Sequence, residues 1–196
     1  MKKAIRIVTF IFLSLLLFKK TNGQKTLLAG IAFTADIITD DNIDSYFLPG
    51  AGLTYDLRLT KHSGTEGGVF YRNYISNLNL LVGSTRYALL ISERHISIPF
   101  LYKFRSKIVN LSAGPDFDFY TGWKQRMKAG NPEINSFSSN KNFFLGMQFK
   151  LSKQIKLTNK IILEPEFHFI PIINTDYRSY TGFAVHVRHV VKKNIQ

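Results

Sequence analysis

The sequence predicts an all-β protein, an eight-stranded antiparallel up-and-down transmembrane β-barrel. Three observations predict it. First, apolar and polar residues alternate. Leu53, Tyr55, Leu57 and Leu59 are interleaved with Thr54, Asp56, Arg58 and Thr60. The pattern returns at Ile96, Ile98, Phe100, Tyr102, Phe104 and at Val109, Leu111, Ala113, Pro115, Phe117, Phe119. A strand sends successive side chains to opposite faces, so each segment has one apolar face and one charged face. Second, the chain opens on an export signal. Third, the connections between segments alternate in length, as they do in outer-membrane barrels.

The signal reads clearly. Lys2, Lys3 and Arg6 precede an apolar run, Ile7 to Phe18, interrupted only by Thr9 and Ser14. Small and polar residues follow at Thr21-Asn22-Gly23-Gln24. Residues 1–23 are therefore a signal peptide with cleavage near Gly23, and residues 24–196 form one barrel domain. The apolar run is shorter than the roughly 20 residues a spanning helix needs. With no cysteine there is no lipobox, disulfide or thiolate chemistry. Five of the 26 Lys and Arg residues lie in the signal, leaving 21 against 13 acids, a formal +8. Such a surplus favours anionic partners, which for an exported chain means lipopolysaccharide or acidic glycans rather than nucleic acid. The plainer reading of the same charge is solvated turns and loops.

Eight strands are expected, over 26–38, 47–60, 65–75, 91–104, 108–120, 142–152, 155–169 and 180–191. Tight turns join some of them, at Lys61-His62-Ser63-Gly64, Arg105-Ser106-Lys107 and Ser152-Lys153-Gln154. Longer connections run over 39–46, 76–90, 121–141 and 170–179. Short turns are expected in the periplasm and long loops outside, with both termini periplasmic because the strand number is even. Aromatic rings favour membrane interfaces. Tyr46, Phe47, Phe119, Tyr120, Trp123, Phe143, Phe144, Phe167, Phe169, Tyr177 and Tyr180 are expected at the outer level, and Tyr102, Phe104 and Phe149 at the other. Aromatics are also good strand formers, which is the alternative account.

Alternation does not say which face points inward. A soluble lipocalin-like barrel has eight antiparallel strands with apolar residues inside. The membrane arrangement is favoured by charge in mid-strand, at Asp56, Arg58, Asp116, Asp118, Glu164, Glu166 and Arg188. It is also favoured by glycines on the polar faces, at Gly50, Gly52, Gly114, Gly146 and Gly182, which make room in a narrow interior.

Ile96-Ser97-Ile98-Pro99-Phe100-Leu101-Tyr102-Lys103-Phe104, a short turn and Leu111-Ser112-Ala113-Gly114-Pro115 resemble a known family. It is the outer membrane protein β-barrel domain family common in Bacteroidota, often labelled PorT-like. Gly50-Ala51-Gly52-Leu53, Gly67-Gly68-Val69-Phe70-Tyr71 and Glu164-Pro165-Glu166-Phe167 fit it too. The resemblance covers the mature chain and describes a barrel rather than a reaction. It implies an outer-membrane protein, usually without assigned activity, some members of which serve secretion machinery. Such barrels commonly close on an aromatic residue, whereas this chain ends Val190-Val191-Lys192-Lys193-Asn194-Ile195-Gln196. The insertion signal is then internal, near Phe183, or another cue serves.

Glu164, Glu166 and His168 share one strand face, where they could meet around a metal or a water. Together with Asp116, Asp118 and Tyr120 they make rim hydrolysis one alternative. The stronger reading is an interior charge network of Asp56, Arg58, Arg72, Asp116, Asp118, Glu164, Glu166, His168 and Arg188, with Lys103, Lys150 and His186 as further bases. His62, His95, His168, His186 and His189 have no metal-binding spacing, so no metal or cofactor is expected. The 121–141 loop presents Trp123, Lys124, Arg126 and Lys128 as candidate extracellular contacts to lipopolysaccharide or a partner protein. The expected role is structural, adhesive or part of an envelope or secretion assembly. An enzyme and a diffusion pore are not expected. The expected surroundings are outer-membrane lipid and other envelope proteins. A soluble ligand-carrying barrel remains the third class.

Overall fold

The computed structural model describes residues 26–39, 47–82, 84–126, 142–174 and 178–193. The signal expected at 1–23 lies outside them. The strands are β1 (Thr26–Thr39), β2 (Leu48–Arg58), β3 (Ser63–Val82), β4 (Thr85–Arg105) and β5 (Asn110–Arg126). They continue as β6 (Phe143–Ser152), β7 (Ile155–Lys156), β8 (Ile161–Pro171) and β9 (Ser179–Lys193). All pairings are antiparallel between neighbours in the chain, except the two that close the ring. β1 pairs with β9 from Thr26↔Lys193 to Thr39↔Ser179, and β6 pairs with β8 through Phe149↔Phe169 to Ser152↔Glu166. The wall is therefore eight strands, an up-and-down barrel. Closure removes the sheet edges around the barrel wall.

Alternation sets inside from outside. Leu53, Phe33, Phe100 and Val69 face outward, with Leu53 68% exposed, while Asp56, Lys103 and His168 are 0% exposed. The lipocalin-like arrangement is thereby excluded: the interior is charged and the outer face apolar. On β4 the outward face is apolar from Phe104 to Ile96. Those eight steps cover about 26 Å along the strand, most of the ~25 Å band once tilt is allowed for.

Three expectations are corrected. The connection over 76–90 is not a loop. β3 and β4 stay paired to Val82↔Thr85, and β5 follows up to Leu90↔Arg126, so a three-stranded arm extends the barrel. Asn77 and Asn79 break the apolar pattern there, but the ladder is made by backbone groups. The turn Ser152-Lys153-Gln154 opens a longer connection, and the strand expected from 155 begins at Ile161. Leu157 and Thr158 donate their amides to the Ile161 carbonyl, and the Thr158 hydroxyl accepts from the Lys160 and Ile161 amides. Thr and Asn readily form such a side-chain-bonded turn.

The aromatic levels also shift. Phe149 and Phe169, expected at opposite ends, face each other across the closing seam. Phe47, Phe119, Phe143 and Phe167 are exposed, as a girdle needs, but Phe144 and Tyr180 turn into the lumen and Tyr120 packs against them. There, with Tyr74, Ile38, Ile170 and Ile172, they form an apolar cap at the long-loop end. Tyr46 and Tyr177 lie outside the described residues.

Candidate functional site: the charged lumen

Below the cap the lumen is filled by ions, in layers set by strand register. At the short-turn end Lys103 of β4 points into three carboxylates. Its Nζ stands 3.0 Å from Asp56 Oδ2, 2.9 Å from Glu66 Oε2 and 2.5 Å from Glu164 Oε1. Arg188 of β9 bridges the same three, at 2.9 Å to Asp56, 3.1 Å to Glu66 and 2.6 Å to Glu164. Arg105 closes on Asp56 from the rim. Ser152 donates to Glu164, and Gln154 donates to Asp56 and Glu164. Ligand atoms of Asp56, Glu66 and Glu164 lie within 4.8 Å of one another, a spacing that suits a metal ion. The Lys103 ammonium sits among them and supplies the cation itself.

The middle layer runs from β6 to β1. Lys150 pairs with Glu66 at 3.1 Å and with Glu166 at 2.6 Å. Glu166 also meets His186 Nε2 at 2.5 Å and His168 Nδ1 at 3.1 Å. The other nitrogen of His168 meets Asp36 Oδ1 at 2.5 Å. Asp36 accepts from Thr34 and lies 3.9 Å from Arg72 Nε, while Asp116 accepts from Ser97.

These contacts assign the imidazoles. Arginine only donates, so His186 Nδ1, 3.2 Å from Arg188 Nη2, accepts. His186 is thus neutral, with its proton on Nε2 and directed at Glu166. His168 has a carboxylate on each nitrogen and must donate twice, as an imidazolium. His95 lies between two acids as well, with Nε2 3.4 Å from Glu93 and Nδ1 3.1 Å from Asp118, although only the Glu93 contact has hydrogen-bond geometry. Among the described residues eight carboxylates are buried, against Arg72, Lys103, Arg105, Lys150 and Arg188, with Arg178 reaching Glu93 from above. Six bases leave two carboxylates over; the His168 imidazolium matches one, and His95 stands between Glu93 and Asp118. A narrow interior holds charge only when it is paired and hydrogen-bonded in this way.

At the top, His95 is edge-on to Tyr74 at 5.0 Å, and Tyr74 stacks on Tyr180 at 4.2 Å. Arg178 lies over the Phe144 ring at 5.0 Å. Beside Thr54, Glu66, Phe70, Lys150, His186 and Arg188, the packing leaves no volume that a water-sized sphere enters.

Eight of the nine expected network members line the lumen: Asp56, Arg72, Asp116, Asp118, Glu164, Glu166, His168 and Arg188. Arg58 is instead half-buried at the rim, where it donates to Gln154. The expectation that Glu164, Glu166 and His168 share one face holds; each is engaged by bases or acids of other strands. Sequence reasoning missed Asp36, Glu66, Glu93, His95 and Arg105. Counting by twos from Asp56 and Arg188 through the paired strands finds Asp36 and Glu66.

The loop residues are corrected. Trp123, Lys124 and Arg126 lie on β5, and Lys128 lies outside the described residues. Thr121 is an extra residue between Arg94↔Gly122 and His95↔Tyr120, a β-bulge that reverses which residues face in. Gly122 takes up the turn at φ +150°. Above the bulge Trp123 pairs with inward Glu93, and Gln125 is buried, whereas Lys124 is exposed.

No protein-family model matches the chain, and no curated protein is similar to it by sequence. Solved structures are similar in fold. The outer membrane protein OprG from Pseudomonas aeruginosa superposes with a TM-score of 0.51 at 13% identity, over 86% of this chain and 93% of that one. Neisserial surface protein A gives 0.50 at 12% identity, over 84% and 96%. Ail, the attachment invasion locus protein of Yersinia pestis, gives 0.46 at 11%, over 86% and 99%. The fold is that of small outer-membrane barrels.

Proposed function

We propose that this chain is an outer-membrane barrel with a sealed lumen, acting through its long-loop end in a structural or adhesive role or within an envelope or secretion assembly. The observation that carries this reading is the lumen itself. Charges held in interlocked pairs fill the interior at mid-height and the aromatic cap covers them, so the described residues offer no diffusion path. The outward apolar face fits lipid on all sides. The short-turn end then lies in the periplasm and the β3–β4–β5 arm outside. The PorT-like resemblance at 96–104 and 111–115 supports an assembly role. We read no hydrolase in Glu164, Glu166 and His168, because their oxygens and nitrogens are engaged by Lys103, Arg188, Lys150, His186 and Asp36.

Membrane fractionation, followed by gels of heated and unheated protein, tests the placement. Recovery with the outer membrane and a mobility shift on heating are expected; recovery in the soluble periplasm would overturn it. Planar-bilayer recording tests the seal, and steady conductance from the folded barrel would count against it.

A further inference from the structure

Among the described residues every carboxylate is buried in the lumen, while the outward and rim charges are basic. The described part of the outer surface is thus of one sign. Two of these bases, Arg94 and Lys124, stand where the apolar face ends on the long-loop side. Below them, and round the wall towards β2, the surface is notched. One row in register across four strands reads Phe33, Ala51, Tyr71, Ile96. Ala51 is the one small side chain of that row, and the row beneath it carries Ile31 and Leu53. Together they border an open apolar groove of about 390 Å³. That is within the ~300–1,000 Å³ of single-ligand sites.

Arg94 precedes Ile96 by two positions on the same face, about 7 Å higher. It is held outward: Nη2 donates to the Trp123 carbonyl, and its own carbonyl accepts from Thr121. Both contacts come from the bulge. Lys124 faces Ser92, two pairs further up, so the two residues are diagonal neighbours at positions about 7–8 Å apart.

We propose that this wall binds one phosphorylated, acylated glycolipid of the outer leaflet, of lipid A chemistry. An acyl chain lies in the groove at Ala51, and phosphate groups meet Arg94 and Lys124. Guanidinium binds phosphate through paired donors, and a headgroup with more than one phosphate spans both bases. The chain seat fixes position, and the two charges select the headgroup. The inference rests on the outer-membrane placement proposed above.

The test is native mass spectrometry of the full barrel, delipidated in detergent and offered equal amounts of lipid A, phosphatidylglycerol and phosphatidylethanolamine. Preferential retention of lipid A is expected. Arg94→Gln and Lys124→Gln should each lower that preference about fivefold, the effect of one basic residue at an anionic surface. Ala51→Phe should fill the notch and reduce lipid A retention while the heat-dependent gel shift persists. Equal retention of the three lipids, phosphatidylglycerol bound as well as lipid A, or retention untouched by Ala51→Phe would each overturn the site. A barrel that fractionates with the outer membrane yet shows no preference removes this site alone. A barrel recovered soluble removes the placement as well.

Discussion

His168 Nε2 lies 2.5 Å from Asp36 Oδ1, although the two residues belong to strands that do not pair with each other. β9 runs between them, and its residue opposite both is Gly182. A Cβ at Gly182 would overlap Asp36 Oδ1 and the Ala35 carbonyl and stand 2.8 Å from His168 Nε2. The missing side chain is what lets an acid and an imidazolium meet across a strand.

Gly182→Ala should therefore separate this pair and leave two buried charges poorly matched. A cost of about 3 kcal/mol or more is expected, since breaking a buried pair strands its partner. Urea unfolding of the refolded barrel, followed by the fluorescence of Trp123, measures it. An unchanged midpoint would show that the pair adds nothing to stability.

Lys103→Met removes the cation from among Asp56, Glu66 and Glu164. The expected loss is again about 3–5 kcal/mol. Adding Glu164→Gln removes one of the stranded charges and should recover part of it. A double variant no better than the single one would contradict the cage description.

The imidazole assignments can be read directly. Nitrogen-15 spectra of the folded barrel at neutral pH should show His186 protonated on Nε2 only and His168 protonated on both nitrogens. In Arg188→Gln the donor beside His186 Nδ1 is no longer a charged guanidinium, and the His186 signals should move while those of His95 stay. A doubly protonated His186 in the parent protein would refute the role given to Arg188.

The bulge at Thr121 predicts opposite behaviour for two neighbours. Lipids brominated on their acyl chains should quench Trp123 weakly, because it faces inward beside Glu93. A tryptophan placed at Phe119, which is exposed below the bulge, should be quenched strongly once Trp123 is replaced by Phe. Strong quenching of the native Trp123 would mean that the reversal of faces is absent.

Alanine at Lys124, Arg126 and Lys128 together should weaken binding of the protein to cells or to lipopolysaccharide if the long-loop end mediates contact. A pull-down with the intact outer-membrane protein checks this, and unchanged binding would move the contact elsewhere.

The period-two pattern at 53–59, 96–104 and 109–119 by itself determined the strands and their apolar faces, because a pleated strand imposes that period whatever its neighbours are. Mid-strand charge at Asp56, Glu164 and Arg188 also determined which face turns inward, since such charges need partners and a lipid-facing wall offers none. Only the tertiary structure decided which charges meet. Lys103 and Glu164 are 61 residues apart, and Asp36 and His168 are 132 apart. Their contact depends on how β6 and β8 close the ring and on the stagger of every pair between them. A one-residue shift would send each side chain to the other face. The bulge at Thr121 makes such a shift inside β5, so Trp123 turns inward and Lys124 outward, where the sequence reading placed both on one extracellular loop. The arm built by β3, β4 and β5 was hidden for a related reason. Backbone ladders carry it through Asn77 and Asn79, and a ladder asks for a partner strand rather than for an apolar pattern.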